Sequence, residues 1–287
     1  MSAVGGPLAR LPRHGRRILT IWLACTAVAV PLIVLVLGPH LPPGRMTSEA
    51  GAQTDANVLM TALVAPIVLL IWIYFAYSLV VFRARSTAIE DGRPIFGHAP
   101  TQTLWIVLTT AIVIALAAWG SYTLIAGSDG AGGGQGPNPI ALPKNASAAL
   151  QVQVIGQQWN WTYRFPAYGN VETAHLELPS STDIELHVTS LDVTHSFWAY
   201  ELGVKADAVP GVDNIVFVHP RRTGSFSIRC AELCGLWHGH MFQTGQVVSG
   251  HRFDAWIKQQ QAAGRLNHTY LPPYGRVYYP DPLRRAG

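Results

Sequence analysis

Three stretches of the sequence, residues 18–37, 58–82 and 104–125, contain no charged side chain. Each is long enough to cross the ~30 Å hydrocarbon core of a bilayer as a helix, for which about 20 residues suffice. That length excludes a short buried helix of a globular core and commits the N-terminal half to a membrane. Composition agrees, because 13% of the 287 residues are charged and 49% are apolar, whereas an ordinary globular chain is about 25% charged. The second stretch carries Trp72, Tyr74 and Tyr77. Trp105 and Trp119 stand near the ends of the third, where aromatic belts form.

Basic residues set the orientation. Arg10, Arg13, Arg16 and Arg17 precede the first stretch, and Arg83, Arg85 and Arg93 lie between the second and third. The loop between the first two holds only Arg45. Basic flanks stay on the cytoplasmic side, so residues 1–17 form a cytoplasmic N-terminus. The chain is then a multi-pass protein of the cell (plasma) membrane, with everything after residue 125 on the outer, periplasmic or extracellular face. The first stretch admits two readings. Its basic flank and small residues at 24–29 suit a signal peptide, and its continuation through 32–37 suits a retained transmembrane helix. Both send the C-terminal half outside.

That half is neutral: from Gln151 onward there are eleven Asp/Glu and eleven Lys/Arg, against five and nine before it. A neutral domain, with the basic excess flanking apolar runs, excludes a nucleic-acid partner. Three cysteines are too few for a disulfide scaffold. Glycine-rich residues 127–145 are expected to act as a flexible linker. Beyond them the pattern changes to short alternating segments, clearest in residues 183–189, where Ile184, Leu186 and Val188 share one face and polar residues the other. Similar segments at 151–155, 214–218, 224–228 and 245–249 make residues 146–262 a β-sandwich or small barrel. Proline turns make residues 263–287 an extended tail. The fold class is therefore membrane α + β: two or three transmembrane helices, then a sandwich.

The chemistry concentrates in residues 230–241, where Cys230, Cys234, His238 and Met241 crowd one loop. Two thiolates with a thioether select a soft metal, and copper comes first. Zinc has no need of the methionine. A mononuclear blue-copper site uses one cysteine; a second could bridge two metals, or the two cysteines could simply form a disulfide. His195, just after the alternating strand, is the best second imidazole, and His240 is an alternative to His238.

At these residues a resemblance to cytochrome c oxidase subunit II becomes plain. Residues 230–241 resemble that family's copper-A motif, Cys-x-Glu-x-Cys-x-x-x-His-x-x-Met. Asp192-Val193-Thr194-His195-Ser196-Phe197, Lys205-Ala206-Asp207-Ala208-Val209-Pro210-Gly211 and Gln158-Trp159-Asn160-Trp161-Thr162-Tyr163 resemble three more of its segments. The resemblance implies a cupredoxin-like Greek-key sandwich holding a binuclear copper centre. Cys230 and Cys234 would bridge the coppers, His195 and His238 would each bind one, Met241 would add its thioether, and Glu232 its backbone carbonyl. It implies that Trp159 takes in electrons, that Asp192 belongs to the docking surface for a c-type cytochrome, and that Glu232 shares a magnesium ion with subunit I. Trp161 is read as packing. Electrons would pass to haem in subunit I, where oxygen is reduced to water with proton translocation; subunit III is a further expected partner. The chain would then be the electron-accepting subunit of an oxidase, an enzyme whose oxygen chemistry lies in its partner. Alternatives are the copper-A subunit of a nitric oxide reductase, a copper-free structural subunit of a quinol oxidase, and a copper-delivery protein.

The sequence departs from the family pattern in places. Gln102 and Thr109 replace a glutamate and a proline of the third span, which removes an ionisable group associated with a proton path. Arg164 stands where an acidic docking residue is usual, and Val212 where an arginine follows Pro-Gly.

Overall fold

The computed structural model describes residues 12–83, 97–126 and 148–266. The expected linker at 127–145, Arg10, Arg85, Arg93 and the tail beyond residue 266 lie outside the described residues. The chain divides into two compact units, residues 1–41 with 55–115 and residues 42–54 with 116–287.

Among the described residues, three helices are long and apolar enough to cross a membrane. The first, α1 (Arg13–Leu32), continues through a wider turn at Ile33–Leu37 and a tighter one at Gly38–His40. The others are α2 (Ser48–Val81) and α3 (Ala99–Ala126). Large apolar side chains such as Leu35, Ile71, Trp72 and Leu104 are exposed, as suits helices whose solvent is lipid. α1 packs on α2 by specific contacts. The Trp22 indole N–H donates to the Pro66 carbonyl at 2.7 Å, and the His14 Nδ1 and Tyr77 hydroxyl lie 2.8 Å apart. Gly38 allows close approach, because a Cβ there would meet Val58 Cγ2 at 2.9 Å.

α2 starts ten residues before the expected span at 58–82. Its first turns are polar and so escape a hydropathy reading, but they carry a helix start. The Thr47 hydroxyl accepts the Ala50 N–H at 2.9 Å, capping the helix, and Glu49 complements the dipole of the first turn. Likewise α3 begins at Ala99, with His98 Nδ1 accepting the Thr101 N–H at 3.3 Å.

The second unit is a two-sheet sandwich of cupredoxin-like type. The strands are β1 (Leu150–Gln157), β2 (Asn160–Phe165), β3 (Val171–Thr173), β4 (Glu177–Pro179), β5 (Ile184–Ser190), β6 (His195–Ala199), β7 (Val204–Ala208), β8 (Asn214–Val218), β9 (Gly224–Cys230) and β10 (Phe242–Val248). One sheet runs β3-β2-β1-β5-β8 and the other β4-β10-β9-β6-β7. β1 pairs parallel to β5 and β4 parallel to β10; the other ladders are antiparallel. The inner faces meet over Val152, Trp161, Tyr163, Leu186, Phe197, Phe226 and Ile228, all buried.

The structure extends or corrects three points of the sequence reading. β5 does not turn a polar face to solvent: Glu185, His187 and Thr189 are as buried as their apolar neighbours. The strand runs between β1 and β8, and its polar groups are paired instead, His187 Nδ1 lying 3.0 Å from Asp213 and His187 Nε2 3.5 Å from Glu185. Arg164 does not lie on an exposed docking face; it is buried in β2 and ion-paired with Glu172 at 3.0 Å. The expected tail from residue 263 begins inside a helix, α4 (Gly250–Leu266), which the strand-only reading of the domain missed. Phe253, Trp256 and Ile257, spaced i, i+3, i+4, were the available signal. Phe253 and Trp256 pack against Phe165 with ring centroids 6.0 and 5.6 Å apart.

Residues 42–54 are part of the sandwich unit. The Thr47 hydroxyl donates to the Leu202 carbonyl at 2.7 Å, Gln53 Nε2 donates to the Gly203 carbonyl at 2.8 Å, and the Arg221 N–H donates to the Met46 carbonyl at 2.7 Å. Gly203 makes this possible twice over. Its φ of +72° suits glycine, and a Cβ would come within 2.7 Å of the Ala50 nitrogen. Gly203→Ala is therefore expected to lose about 1–2 kcal/mol for the left-handed conformation and a further ~1–3 kcal/mol for overpacking. Gly169→Ala, with φ +76° and open space around it, carries only the first penalty. Thermal unfolding of the two variants separates the terms, and equal melting temperatures would contradict the docking of residues 42–54.

Candidate metal centre

The site forms where three chain segments end at one rim of the sandwich. His195 opens β6, Cys230 closes β9, and Met241 immediately precedes β10. Between the last two, the loop folds back so that Cys234 and His238 face Cys230. The Cys230 N–H donates to the Met241 carbonyl at 3.0 Å and the Ala231 N–H to the Ser196 carbonyl at 2.9 Å, which fixes both ends of the loop.

Every donor expected from the sequence is in this cluster. The sulfurs of Cys230 and Cys234 are 3.7 Å apart, far beyond the ~2.05 Å of a disulfide, and both cysteines are free. His195 Nδ1 stands 3.8 Å from the Cys230 sulfur and His238 Nδ1 3.5 Å from that of Cys234. The Met241 sulfur lies 3.9 Å from Cys234, and the Glu232 carbonyl oxygen 3.2 Å from Cys230. His195, Cys230, Cys234 and Met241 are buried. His240, the alternative imidazole, is exposed and stands edge-on to Trp237 with centroids 5.3 Å apart. The Glu232 side chain sits at an exposed position.

Electrostatics suit a metal. Burial pushes the Cys230 thiol up, but hydrogen bonds with His195, the backbone at Ser196 and Glu232, and His238 outweigh it and bring it down to about 6. Burial raises Cys234, and its hydrogen bond and repulsion with ionised Cys230 raise it further. One negative charge is thus shared by two sulfurs until a cation compensates the second. A set of two sulfurs, two imidazole nitrogens, a thioether and a carbonyl, with His195, Cys230, Cys234 and Met241 buried, fits a soft transition metal.

Sequence reasoning missed what Asp192 does here. Its carboxylate accepts the Gln158 N–H at 2.6 Å and the Val193 N–H at 2.7 Å, and lies 2.9 Å from His195 Nε2. Burial favours its neutral form, but these hydrogen bonds, Gln158 first and then His195, hold it below its usual range. For His195 burial works downward, and contacts with Cys230 and Asp192 carry it above its ordinary value. Asp192 thereby anchors one ring nitrogen and turns the other, Nδ1, toward the sulfurs, as ligand-supporting carboxylates do. Trp159 reaches the same loop: its indole N–H donates to the Cys234 carbonyl at 3.2 Å, beside Gln158 Nε2 at 2.8 Å. Gly235 leaves room for both, since a Cβ there would be 3.0 Å from Gln158 Nε2. Trp161 is fully buried, its ring T-shaped to Phe197 at 5.4 Å and to His195 at 5.9 Å.

Known proteins match along this domain and beyond it. The family model described as cytochrome C oxidase subunit II, periplasmic domain, matches residues 173–248. Cytochrome c oxidase subunit 2 of Thermostichus vulcanus is 26% identical over 85% of this chain and 86% of its own length. The subunit 2 of Synechocystis sp. is 28% identical over 80% of each chain. The crystal structure of the periplasmic domain of subunit II of cytochrome oxidase from Bradyrhizobium japonicum is 30% identical, covering 40% of this chain and 96% of that one, with a TM-score of 0.39. With a matching family model, relatives aligned over most of both chains, and the family's spacing at the metal centre, the chain belongs to the cytochrome c oxidase subunit II family.

Proposed function

We propose that residues 195–241 hold a binuclear copper-A centre, and that the chain relays electrons from a c-type cytochrome to haem in a partner oxidase subunit I. The observation that carries this reading is the pair of free, buried cysteine sulfurs 3.7 Å apart, flanked by His195, His238, Met241 and the Glu232 carbonyl. Cys230, Cys234, His195, His238, Met241 and the Glu232 carbonyl would hold a copper pair, which would supply one-electron transfer. The protein's share is rigidity and access. Asp192 keeps His195 in one tautomer, and both ends of the loop are tied to strands. Trp159 joins the outside of the domain to the Cys234 carbonyl, which makes it the residue we assign to taking in electrons. Leu233, Leu236 and Trp237 on the same loop are exposed at 79, 84 and 50%, an apolar surface suited to a donor's haem edge, with Asp192 as the nearby docking charge. The exposed Glu232 carboxylate is available for a magnesium ion shared with subunit I. In this reading the sandwich lies outside the plasma membrane, and subunit III completes the complex. A copper-free quinol-oxidase subunit would have no use for six converging donors, and a copper-delivery protein no use for so enclosed a set.

Copper analysis and EPR of the purified full-length protein test the reading. The expected result is two coppers per chain sharing one unpaired electron. One copper with a localised signal, or a Cys230–Cys234 disulfide without copper, would overturn it. Trp159→Phe is expected to keep that signal while uptake of electrons from a reduced c-type cytochrome slows at least about tenfold, the effect of ~1.4 kcal/mol added to the barrier.

A further inference from the structure

Arg13, Arg16 and Arg17 recur at i, i+3 and i+4 along α1, which puts them on one face of the helix. That face, continued by Thr20 and Ile21, and Tyr77 of α2 line a cleft of about 500 Å³. Tyr77 is held from the side: His14 Nδ1 lies 2.8 Å from its hydroxyl, and Phe82 packs on both rings, with centroids 5.1 and 6.2 Å away. Three guanidinium groups within one turn repel one another. Among the described residues no carboxylate forms an ion pair with any of them. Further along the same face, the exposed side chains of Ile21 and Val28 are apolar.

We propose that this cleft binds the phosphate headgroup of an anionic phospholipid, with the acyl chains lying along Ile21 and Val28. Guanidinium forks match phosphate oxygens in pairs. A basic pocket between spanning helices, with tyrosine at headgroup level, is the arrangement that selects anionic lipids at a cytoplasmic surface. Inorganic phosphate shares the headgroup chemistry, but it has no use for the apolar floor. The site is made largely of α1, so it exists only in a chain that keeps its first span.

Native mass spectrometry of the full-length protein in maltoside micelles tests this, with phosphatidylglycerol, phosphatidylcholine or inorganic phosphate as the added probe. Wild type is expected to hold one phosphatidylglycerol per chain, preferred at least about tenfold over phosphatidylcholine, each nearby arginine contributing to the electrostatic attraction. The double variant Arg16→Gln/Arg17→Gln is expected to lose at least about that factor, and Arg83→Gln, which lies outside the cleft, to lose little. Arg16→Lys/Arg17→Lys, keeping the charge without the fork, falls between them. All substituted arginines are exposed, and helicity by circular dichroism checks that each variant retains its fold. Equal losses in the Arg83 variant, or lipid binding without saturation, would mean diffuse attraction and overturn the site. Equal competition by inorganic phosphate would overturn the lipid as ligand. A mature chain that begins after residue 37 would abolish the site altogether.

Discussion

Cys234→Ser is expected to leave the sandwich folded and to abolish the copper pair. The Cys234 sulfur lies 3.7 Å from that of Cys230, 3.5 Å from His238 and 3.9 Å from Met241. Serine matches its shape, but a hydroxyl stays protonated at neutral pH and is a hard donor where the site needs a soft, charged one. Stability should fall by only about 1–3 kcal/mol, the cost of burying a hydroxyl in the space of a thiol. Metal affinity should fall much further. Losing a group that merely orients a ligand costs about 10–100-fold in affinity, which is the range expected for Asp192→Asn, and loss of a ligand itself should exceed it. Copper content, EPR and thermal unfolding of the metal-free proteins read out both quantities. If Cys234→Ser still bound two coppers with wild-type affinity, Cys234 would not be a ligand. If Asp192→Asn and Cys234→Ser lost affinity equally, the difference between ligand and supporting residue drawn from the geometry would be wrong.

Much of this site was legible in the sequence because its donors lie close together in the chain. Cys230, Cys234, His238 and Met241 occupy a single loop, and their residue types alone specify a soft metal. His195 was harder, 35 residues upstream; the strand-like alternation just before it supplied the clue. The role of Asp192 was hidden, because a carboxylate three residues before a histidine does not announce which imidazole nitrogen it will hold. The spans were visible as uncharged runs, but their polar first turns were not, since hydropathy does not register Thr47 as a cap. β5 was legible only in part. Alternation shows which side chains share a face, yet not whether the polar face meets water. Glu185 and His187 are buried because the strand lies inside its sheet, where His187 Nδ1 meets Asp213 at 3.0 Å. Arg164 was placed by resemblance at a docking position, and its ion pair with Glu172 was not written in either residue alone.

The largest effect on folding is expected from Trp161→Ala. Two residues apart, Trp159 and Trp161 would share a face in a regular strand, but Trp159 lies in the turn before β2 and Trp161 inside it, and the structure gives them different work. Trp159 reaches out to the Cys234 carbonyl, whereas Trp161 is fully buried between the sheets against Phe197 and His195. Removing a buried tryptophan side chain costs about 3–5 kcal/mol, a large share of the ~5–15 kcal/mol that holds a typical domain together. The packing around it is tight, since a Cβ on Gly156 would meet both the Trp161 ring and His195 at 3.0 Å. The cavity should therefore loosen His195 as well, and copper affinity should drop through misplacement of that ligand. Urea titration of the detergent-solubilised chain, followed by near-ultraviolet circular dichroism, is expected to show a lower midpoint with an unchanged slope. Trp161→Phe, which keeps an aromatic ring in the gap, should recover part of both losses. A destabilisation below about 1 kcal/mol, typical of a surface substitution, would contradict the burial of Trp161. Loss of electron uptake with stability and copper both intact would transfer to Trp161 the role assigned here to Trp159.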